Sequence, residues 1–373
     1  MSKKIRLIIL VICVACFFAI SPVLVLYSMG YRFDFEKLKI TETGGIYVRT
    51  FPTADQITID NKIPEKPGIF SNWIFVQSLL PNDHTVLVEK SGYYDYSKTI
   101  SVLEKEVTKL ENILLIKKNI QFSIVTDKTL SPFISHEKYI IKNNNLYYSS
   151  IKENSGLSAI QKSTPILKKI VASTVQNNNI IWLSLDGFFY KSDSTNLLAT
   201  PVKITSAAIK ISKTGIYKII TDNSNIFVND NGNLLFLNTK TNNLDNFYSM
   251  VKDAKISPDG KNIIYYNDNA IYISLLPAAP ETKNILLYKS SEKINDSIWL
   301  NNSYIIFTAG NKIIISEIDY RGNINTVTMP QTITILPEKT IEVKNPEIFF
   351  NQQEGKLYIL NGNTLLASEK ITP

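Results

Sequence analysis

The chain opens on an uninterrupted apolar run. Leu7 to Leu26, LIILVICVACFFAISPVLVL, carries no charged residue. Twenty helical residues at about 1.5 Å each span about 30 Å, the thickness of a bilayer core. The pattern predicts a transmembrane helix over 7–29. Lys3, Lys4 and Arg6 lie on the short N-terminal flank and keep residues 1–6 in the cytoplasm. Pro22 falls near the outer end, where a kink is tolerated. A cleaved signal peptide is the alternative, with an apolar region of about 7–15 residues and a small-residue cleavage site. Here the run is longer and leads into YSMGYRF without an A-x-A, which favours an uncleaved anchor. Cys16 is followed by FFAISPVLVL, which suits a helix interior better than a lipoprotein cleavage site.

After a juxtamembrane stretch over 30–43, the period of the pattern changes to two. GGIYVRTFP alternates, with Ile46, Val48 and Thr50 expected on one face, and QITIDN continues with Ile57 and Ile59. WIFVQSLLPNDHTVLVEKSGYYDYSKTISV reads as further strands broken at PND and SGY, and TKLENILLIKK supplies a closing apolar run. Short alternating strands over 44–117 predict a small β-sandwich or barrel.

These residues resemble a PEGA domain over roughly 44–116. The matching positions are Pro52, Ile57, Ile59, Asp60, Leu80, Pro81, His84, Val86, Val88, Lys90, Gly92 and Tyr93. PTAD at 52–55 replaces the family's Pro-Glu-Gly-Ala turn, and Asn82-Asp83 stands where the family has a turn glycine. Asn and Asp tolerate left-handed backbone, so the turn is expected to survive. The resemblance implies a non-catalytic surface module, often beside a membrane anchor, with no catalytic residue to carry over.

From about residue 118 a unit repeats: an apolar strand, a tight Asn/Asp/Gly turn and a second apolar strand. It appears as YIIKNNNLYY, IIWLSLDGFFY, YKIITDNSNIFV, IIYYNDNAIYI, YIIFTAGNKIII and LYILNGNTLLA, starting at 139, 180, 217, 263, 304 and 357. Further strands are expected just before most copies, at KIVASTV, ITSAAIKIS, VKDAKIS, INDSIWL and PEIFFN. A spacing near 40–45 residues with three or four strands per copy is that of propeller blades. Six blades are expected over 118–373, with seven as the alternative. NIQFSIVTDK at 119–128 is the candidate for the strand that closes the ring. LPAAPETKN and ILPEKTIEVKNP are expected to link blades. AKISPDGKNIIYY resembles repeats of TolB-type and WD-like propellers, and KISKTGIYKII and FFNQQEGKLYI look like degenerate copies. The fold class is therefore all-β apart from one N-terminal helix: a small sandwich followed by a propeller.

Composition adds little to this and removes several functions. The formal net charge of +7 is compatible with an anionic partner or simply with a lysine-rich solvated surface. Cys13 and Cys16 both fall in the apolar run, so the rest of the chain has no thiol or disulfide chemistry. Three residues apart, they are either apolar filler or an oligomer seam. There is no G-x-S-x-G, no G-x-G-x-x-G and no Walker loop, so neither catalytic nor cofactor-binding residues are assigned. His84 and His136 are the two histidines, and both read as loop or turn residues. NDNGN at 229–233 lacks the remaining spacing and terminal Glu of a Ca²⁺ loop and reads as a hairpin turn, so no metal site is assigned. Asn295 and Asn301 lie in N-x-S sequons, as expected by chance in an Asn-rich chain. The aromatics alternate within strands as core residues do, which argues against nucleic-acid binding.

The expectation is a single-pass protein of the cell envelope, its bulk outside the cytoplasm, whose propeller face engages a protein or cell-wall glycan. A propeller-based carbohydrate hydrolase or lyase, with dispersed carboxylates, is the alternative, as is a helper in envelope assembly. SPDG at 257–260, with Asp259 and nearby Asp268, poses the remaining question of whether an acidic site lies there.

Overall fold

The computed structural model describes residues 3–35, 37–62, 66–68, 71–126, 139–151, 158–160, 164–196, 199–222, 224–278, 282–335 and 339–372. The fold is all-β apart from one N-terminal helix, α1 (Lys3–Ser28). The chain forms two compact units: Met1–Asn119 with Arg321–Asn325, and Ile120–Tyr320 with Thr326–Thr372.

In the first unit, α1 leads through Gly30 into a hairpin of β1 (Tyr31–Asp34) and β2 (Lys39–Glu42). The sandwich follows, with β3 (Gly44–Phe51), β4 (Gln56–Ile59), β5 (Trp73–Leu79), β6 (Asp83–Glu89), β7 (Tyr96–Ser101) and β8 (Val107–Leu114). One sheet has the order β5-β3-β8 and the other β4-β6-β7. Their facing sides bury Ile46, Val48, Ile57, Ile59, Val86, Val88, Ile100 and Leu110 in one core. Ile46, Val48 and Thr50 are buried while Arg49 and Phe51 are exposed, as period-two alternation requires. The pairing of β3 with β8 is parallel. Gly44 permits that approach, because a Cβ there would lie 2.3 Å from the Leu103 carbonyl oxygen. Asn82 and Asp83 do not take left-handed backbone; the positive φ angles fall at Asp60 and Asn61 instead, where β4 ends. Asp83 opens β6, and extended backbone is what a strand needs there.

The second unit begins with β9 (Phe122–Ile124). Its first sheet comprises β10 (Tyr139–Lys142), β11 (Asn145–Ile151), β12 (Ser158–Ile160) and β13 (Leu167–Lys168), the last two both pairing with β11. The second holds β14 (Ile170–Gln176), β15 (Asn179–Ser184), β16 (Phe189–Asp193) and β17 (Val202–Lys203). The third holds β18 (Tyr217–Thr221), β19 (Ile226–Asp230), β20 (Asn233–Asn238) and β21 (Asn243–Tyr248). The fourth holds β22 (Asp253–Ile256), β23 (Asn262–Tyr266), β24 (Ala270–Leu275) and β25 (Ile285–Lys289). The fifth holds β26 (Ile294–Trp299), β27 (Tyr304–Ala309), β28 (Lys312–Glu317) and β29 (Thr326–Thr328). A hairpin of β30 (Thr332–Ile335) and β31 (Lys339–Glu342) then precedes β32 (Glu347–Asn351), β33 (Lys356–Asn361) and β34 (Thr364–Lys370).

Sheets two to five are consecutive antiparallel meanders of four strands. Their faces are buried by neighbouring sheets. Tyr139 and Leu146 pack with Ile170 and Trp182, Leu183 and Phe189 with Ile219 and Val228, and Phe227 and Phe236 with Ile263 and Tyr265. That is a propeller, with six blades among the described residues. The last sheet runs β32-β33-β34-β9, so the first strand of the unit completes the final blade, as expected for NIQFSIVTDK. The β30–β31 hairpin extends the outer edge of that sheet, β30 running parallel to β9.

Three expected details differ. ITSAAIKIS (204–212) is not a strand; the first strand of the third blade is β18, so YKIITDNSNIFV is its first hairpin, not its second. Apolar composition alone cannot say which of two adjacent runs finds a partner. LPAAPETKN does not link blades: it connects β24 to β25 inside the fourth. SKTG at 212–215 lies before β18 and is no counterpart of SPDG, whereas the turn at 352–355, between β32 and β33, is.

Closure through β9 generates a stability prediction. Phe122 is buried and lies opposite Ser368 in the closing pair. Phe122→Ala should cost about 3–5 kcal/mol, the range for truncating a buried aromatic. Hydrogen exchange should accelerate in the last sheet and its neighbours while β3 and β8 keep their protection.

Candidate functional site

Successive turns of an antiparallel meander emerge at opposite ends of the sheet, and this decides what SPDG can do. The turn joins β22 to β23, and Asp268 lies in the next turn, between β23 and β24. The two aspartates are thus separated by the length of β23, about 16 Å at about 3.3 Å per residue. They do not form one site. The turn is also closed on itself. Ser257 Oγ donates to Asp259 Oδ1 (2.7 Å) and accepts from the Asn262 amide (2.9 Å). The Lys261 amide donates to the same carboxylate oxygen (3.2 Å), and Gly260 N–H to the Ser257 carbonyl (2.9 Å). Gly260 has φ +71°, the left-handed conformation that its position demands.

The opposite end is built from turns between the second and third strands of each blade and from the linkers between blades. Asparagines staple the two together. Asn144 Nδ2 donates to the Ile170 carbonyl (3.2 Å), and Asn231 Oδ1 accepts from the Ile216 amide (2.8 Å). Asn229 Nδ2 donates to the Val251 carbonyl (3.1 Å), while its Oδ1 accepts from Gly232 N–H (2.8 Å). Asn311 Oδ1 accepts from the Asn345 amide (2.8 Å), and Asn361 Oδ1 from the Lys344 amide (2.9 Å). NDNGN is therefore the β19–β20 turn, its polar groups engaged in holding linkers. Among the described residues no three His, Cys, Asp or Glu side chains gather in a metal-binding arrangement.

Charged pairs run from blade to blade across the first strands. Lys218 on β18 bonds both carboxylate oxygens of Asp253 on β22 (2.7 and 2.8 Å), and Lys255 on β22 bonds Asp296 on β26 (2.6 Å). Tyr266 donates its phenol to the same Asp296 oxygen (3.0 Å). Burial, reinforced by the charges of Asp296 and Asp253, pushes that phenol far above its ordinary value, so it keeps the hydrogen it donates to Asp296. At the turn end, Asp268 sits between Lys252 (3.7 Å) and Lys293 (3.6 Å). Between the third and fourth blades Tyr265 and Tyr272 stack, and the Tyr248 ring meets both at a tilt. Burial and then the neighbouring Tyr272 push the Tyr248 phenol up to about 12. Each carboxylate named has a lysine beside it.

Exposed apolar side chains break the polar character of the turn end, Leu185 in the β15–β16 turn in part and two linker residues more fully. Ile216 and Met250 are 79% and 78% exposed and flank the Asn231–Gly232 turn. Met250 is held at φ +59° in the linker that enters β22. Nothing in the strand pattern marked them, because both lie in linkers just ahead of a first strand.

The other residues singled out in the sequence have plainer positions. His84 in β6 is buried, with Nδ1 2.6 Å from Asp60 Oδ2 and Nε2 2.7 Å from the Leu80 carbonyl oxygen. Both neighbours are acceptors, so both contacts are hydrogen bonds only when both ring nitrogens carry hydrogen. Asp60 Oδ1 also accepts from the Thr85 amide (3.0 Å), fixing the β4–β6 register. His136 lies outside the described residues. Cys13 and Cys16 are exposed on α1, and Asn295 and Asn301 lie in β26 and the turn after it. An open cleft of about 550 Å³ in the first unit is lined by Asp83, Ser101, Glu106, Lys109 and Arg321 among others. Its charges are mixed, and within it Ser101 donates its hydroxyl to the Asp83 carboxylate.

No protein-family model matches the chain, and no curated protein is similar to it in sequence. Among solved structures it is similar to the β-propeller domain of Myceliophteria thermophila Cps50 (Swd1), at 9% identity and TM-score 0.39, covering 78% of this chain and 93% of that one. It is similar to YCF48 bound to D1 peptide at 10% identity and TM-score 0.37, covering 87% and 94%. A third is KlAtg21 in complex with the coiled coil of AgAtg16, at 12% identity and TM-score 0.36, covering 78% and 91%. At these scores the likenesses carry no argument, and the propeller rests on the strand pairing described above.

The two aspartates should respond differently to truncation. Asp259→Ala removes two hydrogen bonds within a turn and should cost about 1–2 kcal/mol in denaturant unfolding. Asp268→Ala removes two exposed, loosely spaced ion pairs and should cost less than about 1 kcal/mol.

Proposed function

We propose that the chain is a membrane-anchored, extracytoplasmic binding scaffold of the cell envelope, and that the turn end of its propeller engages a protein or glycan partner without chemistry of its own. The observation that carries this is the exposed pair Ile216 and Met250 beside the asparagine-stapled Asn231–Gly232 turn. Apolar side chains held outward by fixed turns gain free energy when a partner covers them, which favours a protein over a glycan. The non-enzymatic reading is supported by the carboxylates of Asp253, Asp268 and Asp296, each held beside a lysine.

The anchor reading is supported by α1, whose Lys4–Ser28 span is long and apolar enough to cross a bilayer. The first unit is read as a PEGA-like module: Asp60 and His84, both positions of the resemblance, bond each other, and Ile57, Ile59, Val86 and Val88 form the core between them. A TolB-type reading of the propeller is supported by the self-closed Ser257–Gly260 turn.

Two experiments test this. A photo-crosslinking amino acid at Ile216 or Met250, in the full chain in its native cells, should give protein adducts. The same probe at Lys261, at the other end of β22, should not. Equal adducts at all three positions, or none, would sink the partner face; glycan adducts alone would replace the protein by the glycan. Alkaline phosphatase fused at the C-terminus should be active, and the protein should resist carbonate extraction at full mass. A shortened, extractable product would show a cleaved leader instead.

A further inference from the structure

The hairpin that follows α1 is inside out. Its polar side chains Asp34 and Thr41 are 0% and 3% exposed, whereas Phe33, Phe35, Leu38 and Ile40 are 45%, 80%, 75% and 57% exposed. Phe33 and Ile40 are cross-strand partners, so they share the outer face, and the rings of Phe33 and Phe35 meet edge to face at 5.0 Å. Leu38 is held at φ +47°, a backbone conformation that branched apolar residues rarely adopt. In water this arrangement is unfavourable twice over, because it exposes apolar surface and desolvates a carboxylate. Both polar side chains nevertheless have hydrogen-bond partners. Asp34 Oδ1 accepts from the Lys37 amide (3.1 Å), and Thr41 donates to Glu104 (2.5 Å).

The hairpin is also fixed to the end of the helix. Gly30, at φ +90°, turns the chain, and its carbonyl accepts from both the amide (3.0 Å) and the hydroxyl (2.7 Å) of Thr43. Arg32 donates to the Tyr27 and Tyr31 carbonyls, both at 2.8 Å, while its guanidinium lies 3.5 Å from the centre of the Tyr27 ring. Exposed Tyr27 and Met29 thus lead directly from the apolar surface of α1 to Phe33 and Phe35. Lys37 and Lys39 emerge beside this surface, each paired with a carboxylate.

We infer that the exposed face of the β1–β2 hairpin, Phe33, Phe35, Leu38 and Ile40, lies in the headgroup–acyl boundary of the same membrane that α1 spans. This inference rests on the anchor reading of α1. Aromatic and aliphatic side chains beside Arg and Lys, at the end of a spanning helix, are what that boundary accepts. A lipid surface covers the apolar face without a second protein and explains why the polar side is the one turned inward. The hairpin then acts as a foot that fixes the first unit at the bilayer.

Nitroxide labelling of the full chain in phosphatidylethanolamine–phosphatidylglycerol vesicles tests it, on a background with Cys13 and Cys16 replaced by serine. Labels are placed by Phe35→Cys, by Phe18→Cys in α1, and by Lys240→Cys on an exposed propeller turn. Phe35 is largely exposed, so its replacement removes little packing. The expected result is that collisions with oxygen exceed those with a nickel chelate at positions 35 and 18, and that the ratio reverses at position 240. A water-like ratio at 35 with a lipid-like ratio at 18 overturns the inference and leaves the anchor standing. Water-like ratios at both positions overturn the anchor reading, and the inference with it. Shielding of position 35 from both reagents, with spin–spin broadening, assigns the face to a second copy of the chain and also overturns it.

Discussion

The pairing of β9 with β34 is the interaction on which the second unit depends. A stack of open sheets leaves unpaired N–H and C=O groups at its ends and apolar faces that only a neighbour can bury. Here Gln121 and Glu369, 248 residues apart, close the seam: the Gln121 amide donates to the Glu369 carboxylate (3.1 Å), and the Glu369 amide to the Gln121 carbonyl (2.8 Å). Sheets two to five are local meanders that can form their own hairpins. The last is completed only when the start and end of the unit meet, which makes ring closure the step of greatest sequence separation.

Within the ring, polar bonds rather than further apolar burial set how one blade follows the next. The asparagines at 144, 229, 231, 311 and 361 each bond a linker backbone group, and Asn can do this because one side-chain amide offers both donor and acceptor. The lysine–aspartate pairs from β18 to β22 and from β22 to β26 repeat the same device with charge. Both consume groups that would otherwise resemble binding or catalytic chemistry. The abundance of Asn and Lys is therefore partly structural, whatever set the composition of the chain.

The first unit holds the complementary case, a short segment whose apolar side faces outward. Its sandwich obeys the ordinary rule: Ile46, Val48, Val86 and Val88 point inward and Arg49 outward. The β1–β2 hairpin reverses that rule within a few residues of α1.

The sequence by itself determined those features whose signal is local. The apolar length of α1, the period-two strands of the sandwich, the six blades and the closing role of residues 119–128 all follow from periodicity and from the spacing of turn residues. His84, expected in a loop or turn, lies instead within β6, because that strand already begins at Asp83. Only the tertiary structure decided which runs pair. It made ITSAAIKIS a linker and LPAAPETKN a connection inside a blade, and it made β8 a parallel neighbour of β3. It also placed Asp259 and Asp268 at opposite ends of β23. Periodicity states which residues seek burial but not which partner buries them. The faces presented by Ile216, Met250 and Phe35 arise only once pairing has sent each turn to its end of the sheet.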